Sequence, residues 1–493
     1  MTDLFHNVRP LNNKKMTYPY ILTFKNTVSL KDDGDGLGIV LITPTCKLKL
    51  NNISPGMRKV LEILLNNGDT EDRLCNVLEE RDGSINFAEF FYILYQFKEL
   101  GLIQYIVNSI KGPLVTLESV TNQFKLREKE ISPDRQFCLS RFAYCHRGEG
   151  RLVLETPRGF ARITLHNYIS TAILSLLSTP RTANSLCEII REINIYEAKA
   201  FLGLLFSMDA VFEVDGKGTV IDDEDTTLSH WEFHDLLFHA RSRYGRHDSP
   251  AGGTYRFLNK AEPLPAVKPK MEGETIALYK PDIEKLKKED IPFTCVIEER
   301  RSIREYAGMP LTVEQVGEFL YRCARIRKLM DAIPEKALYS QVSNRPYAGG
   351  GAIYELELYL TVNRCRGLEN GMYHYCPKDH DLTRISGFNE NLEKLLIRAT
   401  GACGKNELPD ILITYATRFQ RFMWKYQSMA YAVILKDVGC LMQNMYLVAT
   451  AMELAPCAIG DGDSDLFAEA SGLDYYTEGS VGEFILGSKK KSD

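Results

Sequence analysis

The segment EERRSIREY, Glu298 to Tyr306, sets Arg300, Arg301 and Arg304 around Ser302. Forked guanidinium donors and a hydroxyl beside a helix amino terminus suit a phosphate monoester dianion, and the segment reads as such a helix start. A solvated helix end would use the same residues, so both readings stand at this point. Gly349, 45 residues after Arg304, belongs to RPYAGGGAIYELELYLTV, Arg345 to Val362, where Ala348, Gly349, Gly350 and Gly351 lead into an alternating, β-rich stretch. Residues without side chains let a backbone approach a flat ligand and offer bare N–H groups to its ring edge. A tight turn before a buried strand has the same composition. Lys425 and Tyr426 stand just before a long apolar stretch, and taken alone a Lys-Tyr pair at a helix start reads as surface. His230 and His234 are spaced one helical turn apart, as a divalent-metal pair would be. The Glu of HExxH is missing between them and no cysteine or carboxylate lies at ligand spacing, so no metal site is expected.

These residues need elements to position them. LTVEQVGEFLYRCARI predicts a helix between the arginine cluster and the glycine loop, and NGMYHYCPKDHDL predicts a hairpin. Ile434, Val438, Leu441, Met445, Val448 and Met452 mark one apolar face of a long helix, a core element or a dimer seam. The first half repeats itself. LLNNGDTEDRLCNVL, Leu64 to Leu78, aligns without gaps on LLSTPRTANSLCEII, Leu176 to Ile190, which puts Leu64 and Leu176 at equivalent core positions. Alternating strand-like stretches precede each copy, and an apolar helix and a short strand follow. The order is that of a winged-helix-like module present twice, and the fold class is α+β. Polar and Gly/Pro-rich breaks place boundaries near residues 125, 225 and 275. Two modules at 1–125 and 126–225, a connecting helix and linker at 226–275, and a catalytic domain at 276–493 follow, with the connecting helix, HWEFHDLLFHARSRYGRH, packed on the last.

At 493 residues the chain has room for several cores. Sixty Lys and Arg against 65 Asp and Glu give a net charge of -5, which provides no general pull toward nucleic acid or an anionic membrane. The apolar helix stretches NFAEFFYILYQFKEL and YEAKAFLGLLFSM lack the clustered basic residues of a DNA-recognition helix. Twelve cysteines without a CxxC pair read as reduced thiols of a cytoplasmic protein. MTDLFHNVRPLNNKK has no apolar export segment, and the apolar stretch near 428 to 454 carries Lys436, Asp437 and Glu453, so no bilayer span is expected.

In order and spacing, ERRSIREY, RPYAGGGAIYELELYL, the hairpin, and a long helix leading to APCAIGDGD resemble the nitroreductase superfamily. Within it they resemble the SagB-type azoline oxidases, and the cyanobactin thiazoline oxidases above all. The duplicated half resembles the peptide-binding winged-helix modules that accompany them. The resemblance implies flavin mononucleotide (FMN), its phosphate held by Arg300, Ser302 and Arg304, with Arg301 alongside and Lys489 completing the site. It implies that the loop Ala348 to Ala352, with Gly349, Gly350 and Gly351, lies along the isoalloxazine, that Gly460 and Asp461 approach its other edge, and that the protein is a homodimer. It also gives Lys425 and Tyr426 the role of the azoline oxidases' Lys-Tyr pair. The chain departs from its relatives in having Ala348-Gly349 where they usually have Pro-Ser, and Glu355 where they have Pro. The activity so implied is two-hydrogen oxidation of azoline rings in a precursor peptide, with molecular oxygen as the final acceptor. Two alternatives are a general flavin reductase of nitro compounds or quinones using a nicotinamide donor, and a non-catalytic scaffold for precursor peptide. Lys425-Tyr426 speaks against the first and the phosphate-type cluster against the second.

Overall fold

A computed structural model describes residues 18–34, 38–44, 46–83, 86–148, 150–220, 223–405 and 407–490; the amino-terminal stretch read above for export lies outside them. The chain divides into two compact units, Met1–Asp248 and Ser249–Asp493.

In the first unit, β1 (Ile21–Phe24) precedes a meander of β2 (Ser29–Asp32), β3 (Ile39–Ile42) and β4 (Lys47–Leu50). Helix α1 (Pro55–Asn66), the short β5 (Asp69–Thr70), α2 (Glu71–Asp82) and α3 (Phe87–Glu99) follow, and β6 (Ile103–Ser109) closes on β1 antiparallel. Beyond the hairpin strand β7 (Gly112–Ser119) the order starts again. There come β8 (Phe137–Leu139), a meander of β9 (Tyr144–Gly148), β10 (Arg151–Glu155) and β11 (Ala161–Leu165), three helices, α4 (Tyr168–Leu176), α5 (Ala183–Ile189) and α6 (Ile195–Ser207), and β12 (Val211–Glu213), which closes on β8. The repeated sequence therefore forms a repeated fold. Thr70 and Thr182 cap α2 and α5 alike, each accepting the N–H three residues on, from Arg73 and Ser185. Behind the caps, Leu74, Leu78 and Leu186 are fully buried and Ile190 nearly so.

At the aligned Leu-Leu pair the copies differ. Leu64 is buried and Leu65 is 36% exposed, whereas in the second copy Leu177 is fully buried and Leu176 only partly. The inward place expected for Leu176 thus belongs to Leu177. The cause is that α4 ends at Leu176, while α1 continues two residues past Leu64, so the last turn unwinds earlier and rotates the pair. Strand β7 pairs with β11, Leu117 opposite Ile163, which joins both copies into one sheet of order β5-β1-β6-β7-β11-β10-β9 over a shared apolar cluster.

Helix α7 (Phe233–Arg241) is part of this first unit: Arg241 donates to Glu155 at 2.6 Å and to the Thr156 carbonyl. His230 lies in a separate 3-10 turn, Leu228–His230, its Nδ1 2.7 Å from the Thr226 carbonyl, and the extended Trp231 interrupts the chain before α7. The two histidines are therefore not neighbours on one helix, contrary to what their spacing suggested.

The second unit runs β13 (Glu274–Ala277), α8 (Ile283–Glu289), α9 (Phe293–Glu299), α10 (Val313–Ala324), β14 (Lys328–Met330), β15 (Val342–Asn344), β16 (Leu356–Val362), β17 (Gly371–Cys376), β18 (Asp381–Gly387), α11 (Glu390–Ala402), β19 (Ile411–Arg418), α12 (Phe419–Met423), α13 (Ala430–Ala451), β20 (Leu454–Ile459), α14 (Ser464–Ser471) and β21 (Glu478–Ser488). The antiparallel sheet β13-β18-β17-β16-β19-β21-β20 is covered on both faces. Leu358, Leu360, Ile413 and Phe484 face α10 and α13, while their neighbours Tyr359, Leu412 and Ile485 face α11 and α14. Burial on both sides leaves every residue of β16 and β19 buried, so polar members such as Glu357, Thr361 and Thr414 are enclosed as well. On α13, Ile434, Val438, Leu441 and Met445 are buried as the periodicity predicts, with Val448 and Met452 packed at the margin. Among the described residues α13 alone is long and apolar enough to cross a membrane; here it packs on α10, β20 and β21.

Candidate active site

Helix α12 is anchored by Arg421, whose buried guanidinium donates to the carbonyls of Ile353, Leu264 and Gln341. Trp424 Nε1 donates to the Ala261 carbonyl at 2.6 Å. This clamp delivers the next two residues, Lys425 and Tyr426, to the glycine loop. The Lys425 carbonyl accepts from Thr254 N–H at 2.9 Å, and Tyr426 stacks on Phe422 at 4.9 Å. Segment 253–266, which reads in sequence as linker, thus forms a wall of the site.

Gly351 has φ +58°, and a Cβ built there would collide with the Tyr426 hydroxyl and come within 2.8 Å of Lys425 Nζ. A Cβ at Gly350 would meet Val433 and Phe422, and one at Gly349 the Tyr354 ring. All three glycines are thus required by close approach. Ala352 and Tyr354 also have positive φ, 57° and 49°, so the loop holds strain of the kind found at functional sites. Gly350 N–H donates to Asp437 Oδ2 at 2.8 Å, so this one of the three N–H groups is already committed within the protein. Ala348 is exposed.

Lys425 is half-buried and forms no ion pair among the described residues; burial holds its ammonium below the usual lysine range. Burial pushes the Tyr426 phenol up. Beneath the loop lie two carboxyls that the sequence marked only separately, Glu355 as a departure from relatives and Asp437 as a charge in an apolar stretch, and not as a pair. Glu355 is completely buried, and burial first, then the neighbouring Asp437, push its carboxyl up to about 8. Burial likewise raises Asp437.

The arginine cluster packs against a later turn of α13, through Arg300 and Tyr446. Arg300 is the carboxy-terminal cap of α9, and residues 300–306 run extended from it. The expected helix amino terminus is therefore a carboxy terminus, where basic residues complement the negative end of the helix dipole; the dipole contributes nothing to anion binding here. Arg300 lies 5.2 Å from the Tyr446 ring, and Ser302 Oγ is 2.7 Å from the Tyr446 hydroxyl, which also accepts from Ala458 N–H. Tyr446 is nine residues after Asp437, about 13 Å along the helix. Exposed Arg301 and half-buried Arg300 form no ion pair among the described residues. Arg304 lies against Cys457 and Cys403, whose sulfurs are 3.6 Å apart; burial and Cys457 push the Cys403 thiol up to about 11. Tyr306 forms a bridge with Lys489, so the carboxy-terminal lysine is brought beside the arginine segment.

Gly460 and Asp461 form an exposed turn after β20, and Gly460 has open space where a Cβ would stand. Beside the turn, Glu483 is buried, and burial with the charges of Asp463 and Asp461 pushes its carboxyl up to about 7. The structure thus assembles the glycine loop with Lys425 and Tyr426 near the start of α13. It places Arg300 and Ser302 against Tyr446 near its end, while Lys489 is bridged to Tyr306, four residues beyond Ser302.

Comparison with known proteins divides the chain into three matched segments. Residues 16–128 match the ThcOx helix-turn-helix domain, residues 137–248 match the cyanobactin oxidase ThcOx, and residues 297–488 match the nitroreductase family. A protein described as a nitroreductase, MJ1384 of Methanocaldococcus jannaschii, is 29% identical over 38% of this chain and 85% of its own length. The microcin B17-processing protein McbC of Escherichia coli is 30% identical over 22% of this chain and 42% of its own. A crystal structure of a nitroreductase from Ralstonia eutropha JMP134 aligns with a TM-score of 0.36 at 17% identity, covering 46% of this chain and 96% of that one.

Proposed function

We propose that the chain, whose segments match in series a ThcOx helix-turn-helix domain, the cyanobactin oxidase ThcOx and the nitroreductase family, is a cyanobactin-type oxidase that oxidises azoline rings of a precursor peptide to azoles using FMN. The observation that carries this reading is the convergence of Lys425 and Tyr426 on Gly351. The residues fit the cofactor. Arg300, Arg301 and Lys489 offer cations that form no ion pair among the described residues, Ser302 a hydroxyl, and the glycine loop a surface that no Cβ obstructs. Arg304, engaged with the two thiols, would have to turn from them to join. When bound, the flavin supplies the hydride acceptor.

The task left to the chain is removal of the azoline Cα proton, which the ring C=N and adjoining carbonyl acidify. Lys425 takes it: burial without a carboxylate partner favours the neutral amine that a base requires. Tyr426, next to it, orients the ring or passes the proton on. The glycine loop, its backbone fixed by the Gly350 N–H bond to Asp437, would bear against the flat ligand. The resemblance to nitroreductase-type folds, which bind flavin between two subunits, brings a homodimer into the reading. Molecular oxygen is the proposed final acceptor, the cytoplasm the proposed location, and the duplicated first unit the proposed peptide-capturing part, through strand addition. The test is mass spectrometry of an azoline peptide before and after incubation, with chromatography of the chromophore released on denaturation. Loss of two hydrogens per ring and recovery of FMN are expected; an unchanged peptide, or a chromophore other than FMN, overturns the reading.

A further inference from the structure

Far along the second unit's sequence from the glycine loop, three segments meet in a groove of about 370 Å³. The residues after β13 supply Lys280, the end of α10 supplies Tyr321, Arg325 and Arg327, and the turn between β17 and β18 supplies Lys378 and His380. Four of these six are permanent cations. None of the four forms an ion pair among the described residues, while carboxylates of neighbouring segments are bound to other cations. Asp290 and Glu318 bind Arg322, and Asp379 and Asp381 bind Lys270.

The groove is built rather than incidental. Arg325 lies 4.5 Å over the Tyr321 ring and donates to the Tyr321 carbonyl at 2.8 Å. His380 is buried, one ring nitrogen 2.9 Å from the Tyr375 hydroxyl and the other 2.9 Å from the Tyr279 carbonyl. Burial, with Lys280 and Arg325 adding to it, holds His380 below the usual histidine range, so it adds a polar wall rather than a fifth charge. Like charges gathered in a concavity repel one another unless an anion enters.

We propose that this groove binds a short acidic peptide segment, with two or more Asp or Glu carboxylates lying among Lys280, Arg325, Arg327 and Lys378. The volume equals that of roughly a dozen waters, more than one inorganic oxyanion fills and well within the range of organic ligands. The cations sit on long side chains from three separate segments. A phosphate nest would instead converge backbone N–H groups on one point. Under the oxidase reading the substrate peptide is the source of the segment, and the inference rests on that reading for the source alone.

The test uses the full chain and a fluorescein-labelled peptide of alternating Glu and Gly/Ser, with a Gln counterpart. Binding is followed by anisotropy, and contacts are mapped by carbodiimide coupling of peptide carboxylates to lysines. The parent should bind the Glu peptide and not the Gln peptide, and coupling should fall on Lys280 or Lys378. Lys280→Ala with Arg327→Ala and Lys378→Ala, all exposed positions, should lower affinity about tenfold while leaving thermal unfolding unchanged. Equal affinity in parent and variant, equal binding of the Gln peptide, or coupling confined to the first unit overturns the proposal. So does pyrophosphate binding more tightly than the Glu peptide, which would make this a phosphate site. No turnover is involved, so an acidic peptide held by a protein that oxidises nothing would leave this inference standing and defeat the oxidase reading.

Discussion

Gly351 is where backbone, ammonium and phenol meet, and it is the residue least able to change. Gly351→Ala places a Cβ against Tyr426 and Lys425 at φ +58°, a conformation that costs a side-chain-bearing residue about 1 kcal/mol or more. The chain should still fold, with a small loss in melting temperature, while azoline turnover falls by at least tenfold; calorimetry and the peptide assay together check it. Glu355 gives a pH prediction. Its folded-state carboxyl is pushed up to about 8, against an ordinary value of 4.5. The fold therefore favours the proton, and this stability is complete below the ordinary value and lost as pH rises through about 8. Glu355→Gln should remove that dependence, so that unfolding curves of the variant lie above the parent's at pH 9 and converge toward them in acid; parallel curves would contradict it. Lys425 and Tyr426 stood out only through the family resemblance, since a Lys-Tyr pair before a long helix reads by itself as surface. The Glu355 and Asp437 pair was not legible, since which carboxylate turns inward depends on the loop packed over α13. The arginine cluster was legible as residues but misread as an element, because basic residues follow a helix end as readily as phosphate-binding residues open one.

Among elements, the repeat was the most legible feature. A capping threonine, a Leu four residues on and an apolar residue one turn later recur in both copies, and local signals of this kind survive in sequence. Thr70→Ala and Thr182→Ala should each cost about 1 kcal/mol, and Leu74→Ala and Leu186→Ala about 2–5 kcal/mol each, by denaturant unfolding. A large disparity between the paired positions would mean that the copies no longer play equivalent roles. What the alignment hid was the rotation at Leu176 and Leu177, set by where α4 stops, and the β7 to β11 pairing, a contact between segments distant in sequence that no local pattern encodes.

At the scale of the whole molecule, the contacts divide the chain after Asp248, and the residues that wall the candidate site begin shortly beyond. A protein starting at Ser249 should retain bound flavin and run as a dimer, yet turn over long precursor peptides poorly. Undiminished turnover would remove the case for peptide capture by the first unit. The central claim, that Lys425 draws the proton whose departure lets the ring aromatise, is tested most directly by rapid mixing of azoline peptide with protein and following flavin absorbance. The account predicts that Lys425→Ala, with flavin content and reduction by dithionite unchanged, bleaches about a hundredfold to ten-thousandfold more slowly than the parent, and that the parent's rate rises with pH as the amine loses its proton. Bleaching of the Lys425→Ala flavin at the parent rate would contradict it.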